Sequence, residues 1–162
     1  LWAYNIGDTI KFTSIEPYKI IVTGRIKHFL SAFGEHVISE EVEKAMKLAT
    51  ANHNVTIREF TVAPNINPKQ GLPRHEWYVE FETIPDDIIG FSSTLEKEMT
   101  SQNIYYKDLI LGNIIQPLDI VNVTKGGFNS YMKSEGRLGG QNKVPRLSND
   151  RKIADILNNF NV

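Results

Sequence analysis

Apolar and polar residues alternate along Glu76-Trp-Tyr-Val-Glu-Phe-Glu82, placing Trp77, Val79 and Phe81 on one face of a strand and Tyr78 with the glutamates on the other. Val55 to Val62, rich in β-branched residues, predicts the strand before it. Pro64 to Pro73, with three prolines, two asparagines and a glycine, predicts the loop between them. Near the start, Asp8-Thr-Ile-Lys-Phe-Thr13 and Tyr18-Lys-Ile-Ile-Val-Thr23 read as two short strands around a turn at Glu16-Pro17. From Ser39 the period becomes helical: Val42, Ala45, Met46 and Ala49 share a face, Ser39 is the N-cap candidate, and acidic residues fill the first turn. Ser93-x-x-Glu96 reads as a capping box for a second helix, with Leu95 and Met99 one turn apart. Leu118 to Val123 predicts another strand, and Phe128, Tyr131 and Met132 a short helix after Gly126-Gly127. Asn149-Asp150 through Phe160 closes the chain as a helix with Ile153, Ile156, Leu157 and Phe160 inward. Some successive strands lie closer than a βαβ crossover requires, so the pattern predicts an α+β domain with a small mixed β-sheet flanked by helices.

Composition narrows the function classes. The 162 residues suffice for one domain with a buried core. A formal net charge of -1 argues against a non-specific nucleic-acid binder, which carries a basic excess. The absence of cysteine removes disulfides and thiol nucleophiles. No apolar run approaches the roughly 20 residues that span a bilayer. His28, His36, His53 and His75 lack metal-ligand spacing, so no metal site is expected. A reducing cytoplasm is the simplest compartment. The chain opens on Leu1 rather than Met, directly onto strand-like sequence, which predicts a piece of a longer polypeptide.

Three segments carry candidate chemistry. In Tyr4-Asn-Ile-Gly-Asp8 a carboxylate at a strand entrance suits ribose hydroxyls, although Gly-Asp alone is a common turn. Gly24-Arg25-Ile26-Lys27, followed by Phe33-Gly34-Glu35, sets a guanidinium beside a glycine that permits close backbone approach; a solvated basic turn is the plainer alternative. Leu138-Gly-Gly-Gln-Asn-Lys143-Val-Pro-Arg146 lacks the ending of a phosphate-binding Walker loop. It has the form of a swinging loop that brings an ammonium to developing negative charge, or of an exposed polar loop.

Taken in order, these segments resemble the last core motifs of the adenylate-forming superfamily of acyl-CoA synthetases, luciferase and peptide-synthetase adenylation domains. Its Tyr-x-x-Gly-Asp motif is similar to Tyr4–Asp8. Its Gly-Arg hinge motif, continuing through a glycine to a Glu-Val-Glu helix, is similar to Gly24–Lys27, Gly34 and Glu41–Glu43. Within the superfamily the chain resembles most the auxin-responsive (Gretchen Hagen-type) acyl-acid amido synthetases and their bacterial relatives. The words that carry this likeness are Thr23–Val37, Glu76–Phe81 and Lys143-Val-Pro-Arg146. It covers essentially the whole chain and lacks the large amino-terminal domain.

The resemblance implies an ATP- and Mg2+-dependent ligase of which this is the mobile C-terminal domain, inactive alone. Residues 1-25 would be the tail of the N-terminal domain, 26-27 the hinge and 28-162 the mobile domain. A carboxylic acid would be adenylated and then conjugated to an amino acid. Lys143 would be the catalytic cation; Asp8 and Arg25 would bind the nucleotide, Lys27 and Gly24 the hinge, and Phe33, Gly34 and Glu35 the acceptor side. The wider superfamily often has an arginine where Glu35 and His36 stand, so an amine acceptor is favoured over a thiol. An acyl-CoA ligase and a non-catalytic binding module are the alternatives.

Overall fold

The computed structural model describes residues 8–25, 29–137, 139 and 142–161. β1 (Asp8–Ile15) and β2 (Tyr18–Arg25) form an antiparallel hairpin whose turn is Glu16-Pro17, as the pattern predicts. Ile10 pairs with Val22 and Phe12 with Ile20, so these four side chains share one face, and each is about half exposed or more. A two-stranded ribbon is marginal without something to bury such a face. β3 (Phe29–Leu30) and β4 (Val37–Ile38) form a second, shorter pair around the 31–36 loop. Hinge positions 26–27, and Tyr4 to Gly7 of the first motif, lie outside the described residues.

α1 (Ser39–Asn52) buries Val42, Ala45, Met46 and Ala49, the face read from the periodicity. Its N-cap is Ile38 rather than Ser39, because the Ile38 amide is taken by the Glu41 carboxylate at 3.0 Å. β5 (Ile57–Asn65) runs on through Pro64, and β6 (Arg74–Phe81) pairs antiparallel with it. α2 (Ile88–Gln102) begins five residues before Ser93: Asp87 caps it, accepting from the Gly90 amide at 2.8 Å, while Ser93 turns back onto the Ile89 carbonyl. α3 (Ile104–Leu111) is absent from the sequence reading. β7 (Asp119–Asn122) adds parallel to β6, α4 (Gly127–Ser134) follows, and α5 (Lys152–Leu157) ends in a 3-10 turn at Asn158–Phe160.

The order β5-β6-β7, with one antiparallel and one parallel pairing, is the small mixed sheet that was expected. One face packs Phe60, Trp77 and Val79 on Met46, Phe91 and Leu95. The other packs Ala63 and Tyr78 on Phe128, Tyr131 and Leu157. β6 is therefore buried on both faces, and Tyr78, Glu76 and Glu80 lie inside with Trp77. Among the described residues, no helix is long and apolar enough to cross a membrane.

Candidate functional site

Lys143 stands exposed at the head of a segment that is fixed immediately behind it. Val144 and Leu147 are buried, one in each core cluster. The segment lies alongside β5: the Val62 amide donates to the Arg146 carbonyl at 2.9 Å, the Ser148 amide to the Val62 carbonyl at 3.0 Å, and the Thr61 hydroxyl to the Pro145 carbonyl at 2.7 Å. Arg146 adds the strongest hold. Its guanidinium pairs with Glu59, reaches Glu43 at 3.3 Å, donates to the Phe60 carbonyl at 3.0 Å, and lies 4.5 Å above the Phe60 ring. Proline at 145 costs the edge nothing here, since its carbonyl is the group in use.

A cleft of about 600 Å³ opens beside Lys143, lined by the buried Phe128, Met132, Val144 and Glu80 and by the exposed Arg58 and Glu82. The other charges of this cleft are already engaged. Arg58 forks onto Glu82, which Lys125 also approaches at 3.9 Å. Glu80 accepts from the Gly126 and Phe128 amides at the start of α4, at 2.8 and 3.3 Å, where the helix dipole favours a carboxylate. Glu59 is held by Arg146. Among the described residues, Lys143 is the charged group of the cleft that has no hydrogen-bond or ionic partner.

The 31–36 loop is organised from beneath. Glu35 is 0% exposed and His75, on β6, 1%. Glu35 Oε1 meets His75 Nε2 at 2.8 Å, and Oε2 accepts the Phe33 amide at 2.7 Å. Burial pushes the Glu35 carboxyl up, but the His75 and Phe33 contacts outweigh it and hold the group below the usual carboxylate range. The His75 ring is stacked between Phe33 and Tyr106, at 6.0 and 5.1 Å. Tyr106 donates to the half-buried Glu96, whose carboxyl is pushed up by desolvation. Glu35, expected to face an incoming amine, is therefore turned inward, because the backbone on either side of it is left-handed, at Gly34 (φ 94°) and His36 (φ 49°).

Asp8 and Arg25 are direct cross-strand partners at the open end of the first hairpin, with Gly24 opposite Thr9. The structure thus brings together the backbone of the two residues assigned to the nucleotide. Lys27 lies outside the described residues. Arg146, His75 and Asn149 are the site residues that periodicity and motif reading do not assign. For Arg146 the signal is present in Lys-Val-Pro-Arg, but its partners come from α1 and β5.

A mixed sheet covered on both faces, with an uncommitted lysine on a segment pinned to its edge, is the α+β class expected from the sequence. Residues 40–152 match the family described as GH3 family C-terminal domain. The chain belongs to the GH3 family and carries its C-terminal domain. Two solved structures share the fold. One is a GH3.15 acyl acid amido synthetase, with a TM-score of 0.74 and 21% identity over 97% of this chain. The other is AtGH3.15 acyl acid amido synthetase in complex with 2,4-DB, with a TM-score of 0.73 and 21% identity over 97%. The chain spans 31% and 30% of those two chains. A search of the curated proteins returns no match.

Proposed function

We propose that this chain is the lysine-bearing C-terminal domain of an ATP-dependent acyl-acid amido synthetase, which adenylates a carboxylic acid and conjugates it to an amino acid. The observation that carries the proposal is the uncommitted ammonium of Lys143 on its pinned segment, in a family member whose fold matches amido synthetases over nearly its whole length. In the first half-reaction the acid's carboxylate attacks the α-phosphorus of ATP and pyrophosphate leaves. The demand is alignment and charge neutralisation between two anions, which a point cation on a rigid backbone meets. Asp8 and Arg25 hold ribose and phosphate. In the second half-reaction the amine attacks the acyl carbon and AMP departs.

Rotation about Gly24 and Lys27 exchanges the lysine face for the face of Phe33 and Gly34. Mg2+ enters with ATP, and its protein ligands are assigned to the N-terminal domain. A dependence on ATP fits a cytoplasmic enzyme. An acyl-CoA ligase would share the first half-reaction, and product analysis with CoA against amino acids separates the two. The direct test is ATP–pyrophosphate exchange by the full-length protein over a panel of carboxylic acids. Acid-dependent exchange that Lys143→Ala abolishes supports the reading, and exchange unchanged in that variant refutes it.

A further inference from the structure

Among the described residues, the deepest-buried contact between two titratable side chains, Glu35 with His75, lies under the loop assigned to the acceptor and outside the lysine cleft. Both partners are fully enclosed, and a buried pair of this kind is a weak source of net stability, since desolvation offsets its attraction. Its directional effect is stronger. It ties the 31–36 loop to the middle strand of the sheet at one point, and both carboxylate oxygens are used: one on His75, the other on the Phe33 amide. Phe33 in turn stacks on the His75 ring. His36 holds a left-handed backbone that a non-glycine residue adopts only where its surroundings enforce it. The Ser31 hydroxyl meets His36 Nδ1 at 3.0 Å and closes the loop from outside. Gly34 and His36 remain exposed while Glu35 is hidden, so the inward carboxylate decides which groups the loop shows to solvent.

We infer that Glu35 and His75 are a positioning pair for the second half-reaction: they set the shape of the 31–36 surface that meets the incoming amine, without touching the amine themselves. This rests on the amido synthetase reading above. Because Lys143 hangs from a separate segment on β5, the pair should leave adenylation alone.

The test uses the full-length enzyme with Glu35→Ala, His75→Ala, the conservative Glu35→Gln, and Gly34→Ala. An added Cβ at Gly34 meets nothing within 4 Å, so that change acts through the backbone conformation that turns Glu35 inward rather than through a clash. Glu35→Ala, His75→Ala and Gly34→Ala are expected to keep ATP–pyrophosphate exchange within about twofold while amide formation falls about tenfold with a raised KM for the amino acid. Glu35→Gln, which can still accept the Phe33 amide, should recover most of the loss. A role confined to folding would lower both half-reactions together, and that result overturns the inference. Deuterium exchange gives a reading independent of activity. The amides of residues 29–38 should lose protection in Glu35→Ala while those of α1 and β6 keep it, and unchanged loop protection overturns the inference. A parent enzyme that exchanges pyrophosphate with no acid defeats the amido synthetase reading, and the deuterium result still decides whether the pair holds the loop.

Discussion

Asn149 and Phe29 are separated by 120 residues of sequence and joined by a 2.6 Å hydrogen bond from the Asn149 carboxamide to the Phe29 carbonyl. The same carboxamide accepts the Ser31 amide at 2.8 Å, so one side chain closes the start of the 31–36 loop. Asn149 follows Arg146 by three positions, which makes it the link between the lysine segment and that loop. Replacing it by alanine frees two backbone groups at once. Asn149→Ala should cost about 1–2 kcal/mol in chemical denaturation, with faster deuterium exchange at Ser31. An unchanged midpoint and unchanged exchange would show the clamp to be idle.

Lys143 stands apart from this framework, because among the described residues it has no hydrogen-bond or ionic partner to lose. Lys143→Ala should leave the denaturation midpoint within about 0.5 kcal/mol of the parent. Adenylation by the full-length enzyme should fall by roughly 10²–10³, the scale set by removing one preorganised charge from a transition state.

Arg146 behaves in the opposite way. Its removal leaves Glu59 partly buried and unpaired and strips the cation from the Phe60 ring. Arg146→Ala should destabilise by about 1–3 kcal/mol, read by urea denaturation. Arg146→Lys should restore only part of this, since an ammonium cannot serve Glu59, Glu43 and the Phe60 carbonyl with a planar fork. Full restoration by lysine would reduce the contact to simple charge.

The second face of β6 predicts how stability responds to pH. Burial pushes the Glu76 carboxyl up, but hydrogen bonds from Asn65, Arg151 and Tyr78 hold it below the ordinary carboxylate range. Its contribution is present above that range and is lost as pH falls through the depressed folded value. Tyr78 is displaced the other way: burial and the neighbouring Glu76 charge push its hydroxyl up to about 12. The folded state keeps that proton longer than the unfolded chain, so stability declines as pH climbs from the ordinary tyrosine range toward 12. Thermal melts across pH should show Arg151→Gln blunting the acid limb and Tyr78→Phe the alkaline one. Limbs identical to those of the parent would place the titrating groups elsewhere.

The elements that periodicity reveals are those whose burial repeats locally. The stripe of α1 and the Trp77-Val79-Phe81 face of β6 are legible because each residue points at the same core. The far face of β6 is not legible, since its glutamates look solvent-bound until Glu80 meets the start of α4 and Glu76 meets Arg151. α3 hides because Asn103 both ends α2 and caps the next helix, with no glycine or proline to mark the joint, and because Ile104 and Leu111 are exposed. Around the site, the order of motifs leads to Lys143, Asp8 and Arg25. The direction of Glu35 depends on two left-handed residues, one of them a histidine, and backbone handedness leaves no periodic trace.

The segment behind Lys143 also has a colloidal consequence. At Val62 it occupies the outer hydrogen-bonding groups of β5, while on the opposite side of the sheet Asn161 bridges Val123, just beyond β7. Unsatisfied sheet margins are templates for pairing between molecules. The peptide that presents the lysine thus doubles as a guard strip, and a variant that peels it away would expose an adhesive border before it lost its core.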